Sequence, residues 1–304
     1  MRSLRLTVIM LVVGAFVLMP VVGNAQSEEA KKWYDRGVDE PDFGKSIKYY
    51  TKAIKIDPNY TKAYGHRGYA HSVYNRFDEA IADYNKAISL DPNDTLIYLN
   101  RGSAYIGLKR YDDAIADFNK VISLDPKEMT AYINMGYAYE RLKRLDDAIA
   151  IYTKAISINP YYSNCYLSRG HAYHDLKRYK DAIADYNLAI YHNSDSAYAF
   201  SNRALTYSKM KKKEKALSDI DIALILQPND PYILANRSTI YREQKRYPEA
   251  MEDINTAIRI APKLWSFYYT RGLNYKAMGE TAKARADFKK ACNRGIDDAC
   301  KELK

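Results

Sequence analysis

Cysteine, tryptophan, histidine and phenylalanine are scarce in this 304-residue chain, with three, two, five and seven copies. Cys165, Cys292 and Cys300 form no closely spaced pair of the zinc-binding kind. The thirteen glycines make neither a phosphate-cradling loop nor the strained turn that presents a nucleophilic serine. Of the histidines, His171 and His174 share a helix face at a spacing of three, but two imidazoles with no third ligand in view do not define a metal centre. No catalytic constellation is left, so the chain is expected to be non-enzymatic and to carry no cofactor and no metal. The formal charge of +10 is moderate, and no nucleic-acid recognition motif accompanies it. Nucleic acid is therefore not an expected partner.

Tyrosine is the opposite case, with thirty copies. Random usage would not favour one amphipathic ring so heavily, and a repeated structural position would explain it.

The first 25 residues differ from the rest. Arg2 and Arg5 precede an apolar run from Leu6 to Val22, and Gly23-Asn24-Ala25 supplies small residues at −3 and −1 of a cleavage site. This is the pattern of a secretory signal peptide cut after Ala25, which predicts a periplasmic or secreted protein. The alternative is a retained membrane anchor, since seventeen apolar residues reach the lower limit for spanning a bilayer. Gly14, Pro20 and the cleavage-like end favour removal. No cysteine follows the run to take a lipid, and losing two arginines lowers the charge to +8.

Beyond that segment a 34-residue period organises the chain. Proline recurs at Pro58, Pro92, Pro126, Pro160, Pro228 and Pro262, with Ser194 in the one missing slot. With that proline at position 32, eight repeats span 27–60, 61–94, 95–128, 129–162, 163–196, 197–230, 231–264 and 265–298, and residues 297–304 can add a short C-terminal capping helix. Position 8 is small (Gly68, Gly102, Gly136, Gly170, Ala204, Ser238, Gly272), and position 20 is always alanine from Ala80 to Ala284. Positions 4 and 24 are mostly large, as in Tyr98 with Phe118 and Tyr166 with Tyr186. Large rings facing small residues predict closely packed antiparallel helices within each repeat. Position 11 is His71 and then tyrosine from Tyr105 to Tyr275, which accounts for much of the surplus. The first repeat is three residues short: nine residues separate Gly37 from Ser46, where twelve is the rule.

These residues resemble the tetratricopeptide repeat pattern over nearly the whole chain after residue 26, and the third repeat, YLNRGSAYIGLKRYDDAIADFNKVISLDP, is close to an ideal member. The resemblance implies an all-α fold, a right-handed α-solenoid of about eight helical hairpins with helix A of each on the concave side. It also implies a protein-protein interaction scaffold, holding a protein or peptide of unknown identity in that groove. Position 6 of helix A carries Asn100, Asn134, Asn202 and Asn236, whose amides offer a donor and an acceptor to an extended backbone. Members of the family use a similar asparagine ladder to hold peptide main chain. Tyr137, His171, Tyr198 and Tyr232, with Leu96, Leu99, Ile133 and Leu167, add side chains to the same groove.

The clamp that some family members use for acidic chaperone tails is excluded. It needs lysine at position 5, and here that position holds Gly65, Leu99, Ile133, Leu167, Ser201, Ala235 and Tyr269. Cys292 and Cys300 are spaced as in cysteine-rich secreted repeat proteins, a resemblance that implies a disulfide. The other reading of Cys292 is a small core residue at position 28, which is Ile or Leu in repeats 2 to 7. Cys165 reads as a buried, inert thiol. A basic pair recurs at the turn between helices A and B, from Lys109-Arg110 to Lys245-Arg246, but acids follow it within a few residues, so a solvated edge is favoured over a binding one. Two other functions are weighed: a self-assembling structural envelope protein, hence a homo-oligomer, and a cell-envelope enzyme, which the missing site constellation makes the last choice.

Overall fold

The computed structural model describes residues 19–304, with side chains from Ser27 onward. The expected signal segment thus lies outside the described residues up to residue 18. Its last residues form the start of the first helix, which runs unbroken past Ala25. Among the described residues there are seventeen α helices and no strand, and no helix is long and apolar enough to cross a membrane.

The chain divides into two compact units, one ending at Ala138 and the other beginning at Tyr139. The first contains α1 (Met19–Asp39), α2 (Phe43–Ile56), α3 (Thr61–Val73), α4 (Phe77–Leu90), α5 (Thr95–Gly107), α6 (Tyr111–Leu124) and most of α7 (Met129–Arg141). The second continues with α8 (Leu145–Ile158), α9 (Ser163–Asp175), α10 (Tyr179–His192), α11 (Ala197–Lys209), α12 (Lys213–Leu226), α13 (Pro231–Glu243), α14 (Tyr247–Ile260), α15 (Trp265–Ala277), α16 (Thr281–Cys292) and α17 (Asp297–Lys301). From α3 to α14 the pattern is constant: helix A fills positions 1 to 13 of the repeat and helix B positions 17 to 30. Within each unit the chain is a run of tandem hairpins, the all-α solenoid expected from the period.

The small and large positions meet as their sizes require. An ideal Cβ on Gly102 would lie 2.6 Å from the Phe118 ring, a distance no side chain tolerates, so glycine lets α5 and α6 touch. The ring is fully buried, as are Ala80, Ala114, Ala148, Ala182, Ala216 and Ala250 at position 20. Burial also pushes the equivalent Tyr84 phenol up to about 12. In the first repeat the partner of Gly37 is Tyr50, thirteen residues on instead of sixteen. The missing three residues come from the end of helix A, because α1 stops at Asp39, position 10.

Each turn is closed by backbone hydrogen bonds. After α5, Lys109 donates to the Ile106 carbonyl (2.9 Å) and Arg110 to that of Tyr105 (2.8 Å), the doubly bonded helix end that needs a left-handed residue. That residue is Asn75, Lys109, Lys143, Lys177, Lys211 and Lys245 in turn, with φ between 57° and 62°, and Gly279 in the last repeat. Between repeats the Asp-Pro pair works with position 4. Asp91 caps the end of α4 and its carboxylate accepts from Asn93 N, while the Tyr98 hydroxyl donates to the Pro92 carbonyl. Tyr132, Tyr166 and Tyr268 repeat this bond to Pro126, Pro160 and Pro262.

One recurring contact is absent from the sequence-based expectations. Arginine at position 7 grips aspartate at position 23 of its own hairpin through two parallel hydrogen bonds: Arg67–Asp83, Arg101–Asp117, Arg169–Asp185, Arg203–Asp219, Arg237–Asp253 and Arg271–Asp287. The aspartates are buried. The remaining guanidinium nitrogen reaches position 25 of the preceding repeat, as from Arg101 to Asn85 (2.6 Å) and from Arg203 to Asn187 (2.6 Å). One side chain thus ties three helices together. The fourth repeat lacks both partners at once, with Met135 and Ile151 in their places.

At the C-terminus Cys292 and Cys300 are joined as a disulfide, with Cα atoms 4.8 Å apart. The bond pins α17 to α16, and Ala299 between them is fully buried. A loop this short contributes about 2 kcal/mol through the unfolded state. Cys165 is fully buried, and burial pushes its thiol up to about 11, which keeps it un-ionised and unreactive at neutral pH.

Candidate functional site

Helix A presents positions 2, 5, 6 and 9 on one face, because residues three and four apart share a side of a helix. In the first unit this face opens into a cavity of about 450 Å³ between α1, α3 and α5. It exists because position 5 of the second repeat is Gly65. Every later repeat fills that position with a side chain, and a Cβ on Gly65 would come no closer than 3.8 Å to Ile97.

Aromatic and aliphatic groups make the wall. Tyr34 packs against Tyr50, Tyr60 and His66 with ring centroids 5.1 to 5.8 Å apart, and its hydroxyl lies 3.2 Å from His66 Nε2. Burial holds the His66 imidazole below its ordinary pKa, so it is neutral at pH 7. Tyr69 and Leu96 line the opening and are half exposed or more, at 50% and 59%. Lys62, Asp94 and Asn100 supply the polar rim. Asp94 is itself fixed, because its carboxylate accepts from Leu96 N and Ile97 N at the start of α5. An apolar well with a few convergent polar groups is the usual form of a site that takes one large side chain and orients what is attached to it.

The sequence-predicted residues divide between the units. Asn100 stands at the cavity rim, Asn134 is half-buried on α7, and Tyr137 is exposed on the same helix. Among the described residues the side-chain amides of Asn100 and Asn134 have no hydrogen-bonding partner, so both are available to a ligand.

In the second unit the candidates are more committed to the fold. The Asn236 amide donates to Ser201 Oγ (2.9 Å), so truncating it disturbs a contact between repeats as well as the helix A face. Asn202 keeps its amide unpaired among the described residues. Tyr198 donates its hydroxyl to Asp230 (2.7 Å), and Tyr232 sets its ring edge-on against Phe267. His171 Nδ1 is 3.1 Å from Glu140, a hydrogen bond that raises the imidazole pKa, and Glu140 also accepts from the Tyr152 hydroxyl. His174 bonds instead to Thr206 (2.7 Å), so the two histidines do not act together. Among the described residues no three side chains of the metal-ligating kinds converge. His71 is packed at its tyrosine position, with Nε2 4.0 Å from Asp83.

Sequence reasoning missed the cavity residues Tyr34, Gly65, His66 and Tyr69. A signal was present, since glycine at position 5 is peculiar to one repeat, but its meaning depends on the rings that α1 brings beside it. The recurring basic pair proves to be two different things. Its arginines are structural: Arg110, Arg144, Arg178 and Arg246 lie 4.3 to 4.7 Å from the centroid of the tyrosine at position 11 and pair with an acid three residues on. The neighbouring lysines are exposed.

Three sequence models of the tetratricopeptide repeat match the chain, one over residues 99–163 and 202–264, a second over 75–109, and a third over 42–60, 163–195 and 266–294. No curated protein matches the sequence. Among solved structures, a tetratricopeptide repeat protein from Parabacteroides merdae is 20% identical, with a TM-score of 0.67 over 80% of this chain and 97% of that one. A chain of the Cut9–Hcn1 hetero-tetramer of the APC/C is 18% identical, with a TM-score of 0.60 over 86% of this chain and 52% of its own length. A thermophilic repeat protein of Thermus thermophilus is 21% identical, with a TM-score of 0.51 over 59% and 98%. At these identities the likeness is one of fold.

Proposed function

Because this chain belongs to the tetratricopeptide repeat family, whose members bind protein or peptide partners and are in general non-enzymatic scaffolds, we propose that it is an exported adaptor that grips an extended polypeptide or partner helix on its helix A face. The observation that carries the reading is the Gly65 cavity, an apolar well with unpaired Asn100 at its rim. A partner would set one large apolar side chain in the well and lay its backbone along the asparagines. The capped C-terminal end weighs against a filament built by end-to-end stacking, since α17 and its disulfide already cover the last hairpin.

The test begins with a random peptide library displayed on phage and selected on the protein. Asn100→Ala combined with Asn134→Ala should weaken the selected peptides at least tenfold while leaving helical content and melting unchanged, because each lost amide strands a partner backbone group at about 1 kcal/mol or more. Charge reversal of the exposed Lys109 and Lys143 is the control. If reversal abolished binding and the asparagine variant bound normally, the groove reading would be wrong.

Export rests on Arg2, Arg5, the apolar run and the Gly23-Asn24-Ala25 ending. N-terminal sequencing of the protein from its own cells should return a chain starting at Gln26 in the periplasm or medium. An intact residue 6–22 segment in the membrane fraction would refute cleavage.

A further inference from the structure

Positive charge is distributed unevenly over the turns that join helix A to helix B. Counting positions 15 to 19, the turns at 75–79, 109–113, 143–147 and 279–283 carry at least as many acids as bases. The turns at 177–181, 211–215 and 245–249 hold nine lysines and arginines against three acids, a surplus of six in a chain whose whole net charge is +10. All three lie in the second unit.

The structure lays these turns side by side. His174 on α9 bonds to Thr206 on α11, and Ser208 and Lys209 at the end of α11 both reach Glu243 at the end of α13. The last turns of the three A helices are thereby linked just before the basic segments. Two of the three acids are already used, since Asp181 holds Arg178 at 2.8 Å and Glu249 holds Arg246 at 2.9 Å, and Glu214 alone stands among the lysines. What remains is lysine, namely Lys177, Lys180, Lys211, Lys212, Lys213, Lys215 and Lys245, every one exposed. Lys177, Lys211 and Lys245 stand in the left-handed conformation that Gly279 takes in the last repeat, so a charged side chain is kept where glycine is less strained.

The chemistry of this edge indicates its partner. An ammonium on a flexible stem is a hydrated point charge without the fixed fork by which arginine selects one carboxylate. The amides at positions 15 and 16 are consumed by the cap of helix A, as in Lys211 N to Ser208 O and Lys212 N to Tyr207 O, so the bend itself offers no donor to a peptide backbone. A dense edge of exposed, flexible-stemmed lysines fits a diffuse anionic field. We propose that the turn edge of repeats 5 to 7 docks this protein on a membrane surface rich in anionic phospholipid, independently of the peptide face.

Co-sedimentation of the full chain with vesicles tests this. Equimolar phosphatidylglycerol and phosphatidylcholine is compared with phosphatidylcholine alone, which subtracts any contribution of the apolar N-terminal run. Half-maximal binding should need at least thirtyfold less lipid on the anionic vesicles, and raising salt from about 0.1 M to about 0.5 M should remove the difference, since screening shortens the reach of exposed charges. Lys211→Gln, Lys212→Gln, Lys213→Gln and Lys215→Gln together should raise the half-binding concentration at least tenfold with unchanged melting. Lys48→Gln, Lys55→Gln, Lys86→Gln and Lys109→Gln, an equal loss of charge elsewhere, should change it less than threefold, and Gly65→Leu should leave it unchanged. Equal effects of the two lysine sets would overturn the docking edge in favour of net charge alone. Binding of polyglutamate or duplex DNA through the cluster, with no preference for anionic vesicles, would overturn the membrane in favour of another polyanion.

Discussion

Replacing Arg101 by methionine should lower the unfolding free energy by about 3–5 kcal/mol, and adding Asp117→Ile in the same chain should return most of that loss. The single change leaves the Asp117 carboxylate buried without its two hydrogen bonds and without an opposing charge. Its desolvation is then uncompensated, and the hairpin must admit water or protonate the acid. The double change removes the charge as well and installs the residue types that the fourth repeat carries at the same two positions, Met135 and Ile151. Apolar replacement of a whole buried pair is often neutral, so the double variant should fall within about 1 kcal/mol of the parent. Urea unfolding followed by helical signal measures this, and hydrogen exchange in α5 and α6 locates it, since a tandem array can lose one hairpin before the rest. Equal stability of the single and double variants would mean that the pair is not the buried electrostatic unit described here. The equivalent pair of the seventh repeat shows the same grip: the Asp253 carboxylate holds the Arg237 guanidinium above its ordinary pKa range.

That pair shows where sequence reading stops. The period, the small residues at positions 8 and 20 and the rings at position 24 were legible because each is a local property, a size or a shape repeated every 34 residues. The Arg–Asp contact joins residues sixteen apart on opposite helices, so it becomes visible only when positions 7 and 23 are compared across repeats and their joint loss at Met135 and Ile151 is noticed. Asn236 carries the same lesson at longer range. Its partner Ser201 is 35 residues away and stands at position 5, a place with no consensus. The beginning of the first helix was not legible either, because composition marks a boundary at Ala25 where the backbone continues as one helix into Asp39.

The candidate site was half legible. A ladder of asparagines at position 6 is a pattern, and patterns are what a single sequence offers. The cavity is an exception to a pattern, made by Gly65 in one repeat and walled by Tyr34 from the irregular first helix, so its existence depends on packing that no spacing rule encodes. This difference supplies the most direct test of the proposed role. Leucine at position 65, the residue that Leu99 and Leu167 place at the equivalent position, would fill the well from its floor. The fold should accept it, because the first new atom meets only ordinary contact with Ile97 and a helix interior gains about 1 kcal/mol when glycine is replaced by a good helix former. An anchor side chain deprived of its pocket costs about 2 kcal/mol or more, roughly thirtyfold in affinity. The measurement is the affinity of library-selected peptides for Gly65→Leu and for the parent, with melting recorded on both. A melting midpoint equal to or above that of the parent, together with at least thirtyfold weaker binding, is the expected result; undiminished affinity in a folded Gly65→Leu protein would contradict the claim that this chain holds its partner through the cavity.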